Sequence, residues 1–194
     1  MPSTFLPYTI TSTAHEKVKP TVCIGAAFTS HPNGTYLHPD NPQDDSYWIV
    51  VLDAKNPRQK VKEWVVPGKD NSTVPGGIDT YMNDPDYIFA VATQYLDITH
   101  VPQGAFYKFL ANYGAGQELQ KLEQLYATLG YGQYGRVGYI LTGPCGPRTP
   151  VAPASYEVAS YTSSSAYAAI LMMSLESMPS GAPPYGISNT YTWA

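Results

Sequence analysis

Two apolar runs, YIFAVAT at residues 87–93 and VGYILT at residues 137–142, decide the fold together with the helical segment between them. Both runs are rich in β-branched and aromatic residues, which is typical of strands. The segment between them carries apolar residues at three- and four-residue steps, on one face of a helix, at Leu119, Leu122, Leu125, Tyr126 and Leu129. Gly130 follows at the position of a left-handed C-cap. We therefore predict that this helix packs its apolar face on the sheet formed by the two strands, as scaffold that carries no site.

The composition favours one domain built mainly of β-structure. The chain has 194 residues, of which 43% are hydrophobic, enough to fill one core. Tyr (17), Pro (18) and Gly (16) are abundant, whereas charged residues make up only 13% of the chain. That charged fraction is about half the usual one. Turn-rich β-structure fits this composition, and so does a surface partly covered by other subunits, because Tyr tolerates burial in interfaces.

The charge pattern argues against a nucleic-acid partner. The formal net charge is −4, and no basic stripe is present. Basic residues group only at Lys55, Arg58, Lys60 and Lys62, which is more typical of an exposed hairpin than of a phosphate site. No apolar run is long enough for a membrane span, and the N-terminus lacks the basic start of a signal peptide. We expect an extracellular or particle-associated protein, with no signal peptide visible in this chain and no membrane partner.

Other apolar runs predict the rest of the sheet. Residues 47–52 are apolar on both faces, as in a central strand, and residues 61–66 complete a hairpin with them. Residues 22–28 predict a further strand. Residues 103–113 predict a short helix that begins after Pro102.

The predicted core domain covers residues 21–148. Before it, prolines punctuate residues 1–20, which favours an arm or an edge strand, and we interpret the segment as an arm. After it, residues 149–194 carry only Glu157 and Glu176 as charged side chains. We predict strands in this C-terminal segment, although residues 166–175 also fit a helix. Because so little charge makes a poor free surface, the segment either joins the domain's own sheet or is covered by a neighbouring subunit.

The polar loop at residues 30–46 holds the candidate ligand-binding side chains. Imidazole and carboxylate groups together can bind metal ions. The spacing in this loop matches no metal motif, however, and repeated X-Pro steps indicate an extended loop with side chains splayed apart. A solvated loop, a metal site and a loop that binds a ligand through its rings are the three alternatives, and we predict no metal and no cofactor. The candidates are His31, Tyr36, His38, Asp40, Asp44 and Asp45.

Two cysteines lie far apart in the sequence, next to strand-like runs. Cys23 and Cys145 either form a disulfide or are a pair of buried thiols. Neither has a second Cys or His at zinc-ligand spacing. Asn33 and Asn71 begin glycosylation triplets, which are too short to indicate secretion by themselves.

The common enzyme motifs are absent from the sequence. There is no nucleophile elbow, phosphate loop, zinc-protease helix or dinucleotide fingerprint. A carboxylate pair for hydrolysis would leave no such motif among the 15 acidic residues.

The order of elements over residues 48–146 resembles the core of the secreted interleukin-like EMT-inducer (ILEI/PANDER) family. In that family a strand ends in a Thr-Tyr-Asp-Asp loop, and a Gly-Phe-Arg-Asp-x-Trp stretch opens the next strand. Val137 stands where the family has Asp, and Tyr139 where it has Trp. The resemblance implies a β-β-α domain with a non-catalytic binding or signalling role. The counterparts in this sequence are Thr93, Asp97, Arg136, Tyr139 and Gly143.

We therefore predict an α+β fold, mainly antiparallel β in two packed sheets with one or two short helices. Our first hypothesis for the function is a non-catalytic subunit of a larger extracellular or virus- or phage-like particle, which self-associates or binds other subunits. The second is a secreted module that binds a carbohydrate or a receptor. The third is a hydrolase with an unrecognised carboxylate site.

Overall fold

The computed structural model describes residues 5–25, 32–129, 135–147, 155–162, 167–177 and 184–188. Strands predominate and helices are few, which confirms the α+β class. The helices are α1 Asp79–Met82, α2 Gly104–Asn112 and α3 Gln117–Leu129. The strands are β1 Phe5–Thr13, β2 Thr21–Ile24, β3 Thr35–Leu37, β4 Ser46–Asp53, β5 Lys60–Pro67, β6 Tyr87–Gln94, β7 Leu96–Asp97, β8 Arg136–Pro144, β9 Tyr156–Thr162, β10 Tyr167–Ser177 and β11 Tyr185–Ser188.

These strands form a single curled sheet. Its main order is β11-β10-β1-β6-β4-β5, with β2 and β3 branching from β1, and with β8 carrying β7 and β9 beside β6. Pairing is antiparallel except where β1 meets β6 in parallel, at Thr13 and Gln94. One mixed sheet thus takes the place of the two packed sheets that we predicted. The predicted hairpin at residues 47–52 and 61–66 is confirmed as β4 and β5.

The central strands β4, β6 and β8 are buried on both faces. The core on one face, which we call the helix core, lies between the sheet and the three helices and includes Tyr47, Ile49, Val51, Phe89, Val91, Tyr139, Leu141, Phe106, Leu110, Leu119 and Leu122. The core on the other face, the strand core, is enclosed by strands and includes Tyr8, Ile10, Val22, Ile24, Trp48, Val50, Leu52, Ile88, Ala90, Ile140, Met173 and Leu175. Successive residues of β4 alternate between the two cores, which explains why this strand is apolar throughout.

The curl of the sheet brings distant strands together around the strand core. The Tyr8 hydroxyl of β1 lies 3.0 Å from Thr142 Oγ1 of β8, and both side chains are buried. At the other end of β8, a Cβ added to Gly138 would lie 2.4 Å from the Cβ of Ala168 in β10. A side chain at position 138 would therefore keep β10 from crossing β8 this closely.

Residues 5–13 form β1 and not the predicted arm. The strand pairs with β10 over its whole length, and with β2 from Tyr8 to Thr11. The Pro7 carbonyl accepts a hydrogen bond from the Gly25 amide at 2.8 Å. Because the N–H and C=O of a strand residue point to the same side, the missing N–H of Pro7 faces the end of β2, and the ladder with β10 loses no bond. Proline at this position is therefore compatible with a strand paired on both sides.

The predicted scaffold helix is confirmed as α3. Leu119 and Leu122 are buried, while the other three inward side chains are half-buried against the helix core. The predicted outer face is exposed, at Gln117, Gln120, Lys121, Gln124 and Thr128. Gly130, the predicted C-cap, lies outside the described residues.

The N-terminus of α3 is capped by a side chain from the C-terminal segment. Glu157 Oε1 of β9 accepts hydrogen bonds from the amides of Gly116 at 2.8 Å and Glu118 at 2.9 Å. In return, Glu118 Oε2 accepts a hydrogen bond from the Ala159 amide at 3.1 Å. A carboxylate at this position satisfies free helix donors and complements the helix dipole. β9 therefore has two structural roles: it pairs with β8, and its Glu157 caps α3.

Replacement of the buried leucines of α3 tests this packing. Leu122→Ala should lower the free energy of unfolding by about 2–5 kcal/mol, because it leaves a cavity in the helix core. Leu125→Ala should cost less, since Leu125 is half-buried. Lys121→Ala, on the exposed face, should cost under about 0.5 kcal/mol. Urea titration followed by circular dichroism measures all three, and a larger loss for Lys121→Ala than for Leu122→Ala would contradict the packing described.

Candidate functional site

The structure separates the candidate residues of the polar loop into three places. Tyr36 lies on β3, opposite Cys23 of β2. His38 Nδ1 lies 3.2 Å from Thr21 Oγ1 and 3.2 Å from the Pro20 carbonyl. The aspartates lie elsewhere: Asp40 is beside β5, and Asp44 and Asp45 are at the start of β4. His31 lies outside the described residues. The loop therefore does not gather these side chains into one ligand site.

The basic group on the β4–β5 hairpin holds this loop in place. Arg58 donates hydrogen bonds to the Asn33 carbonyl at 3.0 Å and to Thr35 Oγ1 at 2.8 Å. Lys60 contacts Asp40 Oδ1 at 2.5 Å and Glu63 Oε2 at 2.9 Å. The hydrogen bond from Lys60 lowers the pKa of Asp40 from its ordinary value. These cations already have carboxylate and carbonyl partners, so the group fits the predicted hairpin and not a phosphate site.

Residues from two separate predictions meet at one end of the sheet. Asp45 Oδ2 lies 2.7 Å from His100 Nδ1, and Asp45 Oδ1 accepts the Asp97 amide at 3.0 Å. Asp97 Oδ2 accepts a hydrogen bond from Arg136 at 2.6 Å, and the Arg136 guanidinium lies over the Tyr95 ring, 3.9 Å from its centroid. We call this group of five residues the strand-end cluster. It joins the polar loop, β7, the following 3₁₀ turn and β8.

Backbone strain concentrates beside the strand-end cluster. In the described part of the chain, the non-glycine residues with positive φ are Lys17 at 62°, Asp45 at 55° and Tyr95 at 49°. Hydrogen bonds hold each of them: the Lys17 amide donates to Asp44 Oδ1 at 3.1 Å, the Asp45 carbonyl accepts from the Gly68 amide at 2.6 Å, and the Tyr95 amide donates to the Thr13 carbonyl at 2.8 Å. Such conformations cost about 1–3 kcal/mol each and persist only where the surroundings enforce them. These hydrogen bonds, to residues that flank the strand-end cluster, supply that enforcement.

Most polar atoms of the strand-end cluster are satisfied within it. Burial raises the pKa of Asp97, but hydrogen bonds from Thr99 and the charges of Arg136 and His100 outweigh burial, so the net pKa lies below the ordinary value. The four carboxylate oxygens of Asp45 and Asp97 all accept hydrogen bonds or pair with His100. The cluster is therefore suited to fixing the chain in place, because little bonding capacity is left over for a ligand.

The residues matched to the ILEI family lie along β6, β7 and β8. Thr93 Oγ1 donates to the Val137 carbonyl at 3.2 Å and accepts from the Tyr139 amide at 3.0 Å. The Tyr139 hydroxyl donates to Glu157 Oε2 at 3.0 Å. Burial, and then the charge of Glu157, raise the pKa of Tyr139 well above its ordinary value. A Cβ on Gly143 would lie 2.2 Å from Ser155 Oγ, so this glycine permits a close approach. These contacts support the framework between α3, β8 and β9.

The two cysteines are buried thiols, and no disulfide joins them within the described structure. Cys145 Sγ contacts Met82 Sδ at 3.9 Å, in the helix core. Cys23 lies between Val22 and Ile24, which face the strand core, so its side chain points to the outer face of β2. The disulfide alternative is therefore wrong for this structure.

The outer face of β1, β2, β3 and β10 is almost free of charge. Cross-strand pairs place Tyr36, Cys23, Thr9 and Met172 in one row, and Thr21, Thr11 and Ile170 in the next. Ile170 is 49% exposed, Phe5 40% and Met172 37%. The only charged side chain at these described positions is Glu176. We call this surface the low-charge face, defined by Phe5, Pro7, Thr11, Tyr36, Ile170, Met172 and Glu176. The side chains of Thr9, Thr21, Cys23 and Ser174 at the positions between them are buried within the chain.

An open groove of about 590 Å³ lies between α1 and α2. Asp79 and Asn83 line it from α1, and Lys108 and Asn112 line it from α2. Sequence reasoning missed this groove because its polar residues belong to two helices with no shared motif. The signal that could have found it is the four-residue spacing within each pair, which places both members on one side of a helix.

No protein-family model matches this chain, and no curated protein sequence matches it. Across the described ranges, no three His, Cys, Asp or Glu side chains come together in a way that could hold a metal ion. None of the helices described above combines the length and apolarity needed to cross a membrane.

The depressed pKa of Asp97 predicts a pH-dependent contribution to stability. A carboxylate with a lowered folded-state pKa stabilises the protein above its unfolded pKa of about 3.9, and this stabilisation is lost as the pH falls through the folded pKa. Asp97→Asn should therefore lower the free energy of unfolding at pH 7 by about 1–3 kcal/mol. The difference from the unmodified protein should shrink below about pH 4.

Chemical denaturation at a series of pH values measures this difference. Asp70→Asn is the matched control, because Asp70 is exposed and its carboxylate forms no hydrogen bond or ion pair in the described part of the chain. A pH-independent loss for Asp97→Asn would show that the charge of Asp97 is not what stabilises the cluster.

Proposed function

We propose that this protein is a non-catalytic subunit of a homomeric assembly, in which copies pack through the low-charge face. The observation that carries the proposal is the exposure of Phe5, Ile170 and Met172 on adjoining strands. Scattered apolar side chains are ordinary on a protein surface, whereas a contiguous apolar patch is typical of an interaction site.

The charges of the molecule favour this face for contact between identical copies. The net charge of −4 makes copies repel one another over most orientations. The low-charge face presents only Glu176, at its end. Contact through this face therefore desolvates almost no charge and brings few like charges together. Interface cores are likewise depleted of charged residues and enriched in Met, Tyr and Phe.

The finer parts of this proposal rest on the sequence. Composition supports an assembly of the extracellular or virus- or phage-like kind. The resemblance to the ILEI family supports a β-β-α core, and two contacts are in keeping with it. Thr93 meets Tyr139, and Asp97 meets Arg136, so matched residues far apart in sequence are neighbours in space.

A second candidate is a secreted module that binds a carbohydrate or a receptor. It is favoured by a row of half-buried aromatic rings on β5, α1 and β6. The Trp64 and Tyr81 ring centroids are 5.7 Å apart, as are those of Tyr81 and Tyr87. Aromatic rings with one accessible side can contact the apolar faces of a ligand. This row lies on other strands than the low-charge face, so a ligand there would leave self-association unaffected.

Charge placed on the low-charge face should dissociate the assembly. The double variant Ile170→Lys, Met172→Lys adds two cations to each copy at adjacent positions of β10, so contact between copies would become repulsive. Sedimentation velocity over a range of concentrations should show oligomers for the unmodified protein and monomers for the variant. Circular dichroism checks that the variant is folded.

The matched control is Tyr161→Lys. Tyr161 is 37% exposed but lies on β9 opposite Val137, on the helix-core side of the sheet. This variant should keep the oligomers. Monomers of the unmodified protein at every concentration, or equal dissociation by the control, would overturn the proposal.

A further inference from the structure

The two walls of the groove between α1 and α2 carry the same kinds of side chain. Each wall carries one charged side chain and one amide at four-residue spacing, Asp79 with Asn83 on one side and Lys108 with Asn112 on the other. The floor is aromatic, formed by Phe109 and Tyr113, both of which are less than 10% exposed (7% and 8%). The volume of about 590 Å³ falls within the range of small-molecule sites, roughly 300–1,000 Å³.

The two charges of the groove have no ion-pair partner in the described structure. Asp79 and Lys108 form no salt bridge with each other or with another described side chain. Two other lysines of the described chain do form ion pairs: Lys55 with Asp86 at 2.7 Å, and Lys60 with Asp40 at 2.5 Å. Both side chains are exposed, so each charge is accessible to an oppositely charged group of a ligand in the groove.

The side-chain amides of Asn83 and Asn112 can form further hydrogen bonds with a ligand. The Tyr113 hydroxyl donates to Asn83 Oδ1 at 3.2 Å, which fixes the amide and leaves its N–H₂ donors for the groove. The Asn112 amide has no hydrogen-bond partner among the described residues. Together the two amides can donate to a carbonyl and accept from an N–H.

We propose that this groove binds a zwitterionic ligand, namely a short peptide with free termini. Asp79 accepts hydrogen bonds from the ligand ammonium, and Lys108 donates to its carboxylate. Asn83 and Asn112 bond the peptide group between them, and an apolar side chain of the ligand rests on Phe109 and Tyr113. A neutral saccharide would leave both charges of the groove without a counter-charge, so the zwitterion is the better match.

This inference is independent of the proposed self-association. The groove is built from helices on the helix-core side of the sheet, whereas the low-charge face lies on β1, β2, β3 and β10. Either proposal can fail while the other holds. The Ile170→Lys, Met172→Lys variant should bind the peptide unchanged.

Titration of ¹⁵N-labelled full-length protein with the dipeptide Gly-Leu tests the site. Amide shifts should concentrate in α1 and α2 and saturate at millimolar or lower concentration. Lys108→Met and Asp79→Asn should each weaken binding at least about tenfold, since each removes a charge-assisted hydrogen bond. Lys69→Met and Asp70→Asn, which change an exposed lysine and aspartate outside the groove, should bind as the unmodified protein does.

Two further ligands decide what the groove recognises. N-acetyl-Gly-Leu-amide keeps the peptide group and the leucine but lacks both charges, so it should not bind. Equal binding of this capped peptide would overturn the proposal, as would binding of maltose without binding of Gly-Leu. Absence of shifts with Gly-Leu at millimolar concentration would also overturn it.

Discussion

The rest of the structure depends on the need to bury β4 and β6 on both faces. These adjacent strands are apolar at nearly every position, so a sheet with one wet face would leave half of their side chains in water. Three helices cover one face. The curl of the sheet covers the other, because it folds β1, β2 and β10 over Trp48, Val50 and Leu52. The same constraint explains why the C-terminal segment is so poor in charge: β9 and β10 are structural strands of this sheet.

Local patterns were sufficient to predict some elements and not others. The three- and four-residue spacing of the leucines predicted α3, and apolar runs with a turn between them predicted the β4–β5 hairpin, since both signals lie within one short stretch. β1 was missed because Pro7 was interpreted as a sign of an unpaired segment. The side of the strand to which its missing N–H points depends on pairing with β2 and β10, and no local pattern contains that information.

In the candidate site, too, single residues could be predicted from the sequence, but their arrangement in space could not. Asp45 and Asp97 were both singled out from the sequence, but for unrelated reasons, and their meeting with His100 and Arg136 is a product of tertiary structure. Asp79 and Lys108 were not predicted as site residues, because neither belongs to a sequence motif that indicates a binding site. The three strained residues are equally invisible to sequence analysis, since positive φ is favoured by glycine and none of them is glycine.

The pairing of β1 with β10 has a consequence for biosynthesis. Phe5 lies opposite Glu176, so the first described strand completes its ladder with one of the last. While the chain leaves the ribosome, β1 can pair early with β2, but the edge that will bind β10 stays open until Tyr167–Ser177 has also been translated. Contacts of such long range slow folding, and open strand edges invite pairing between chains. The nascent protein thus passes through a long interval in which a chaperone that shields strand edges would benefit it most.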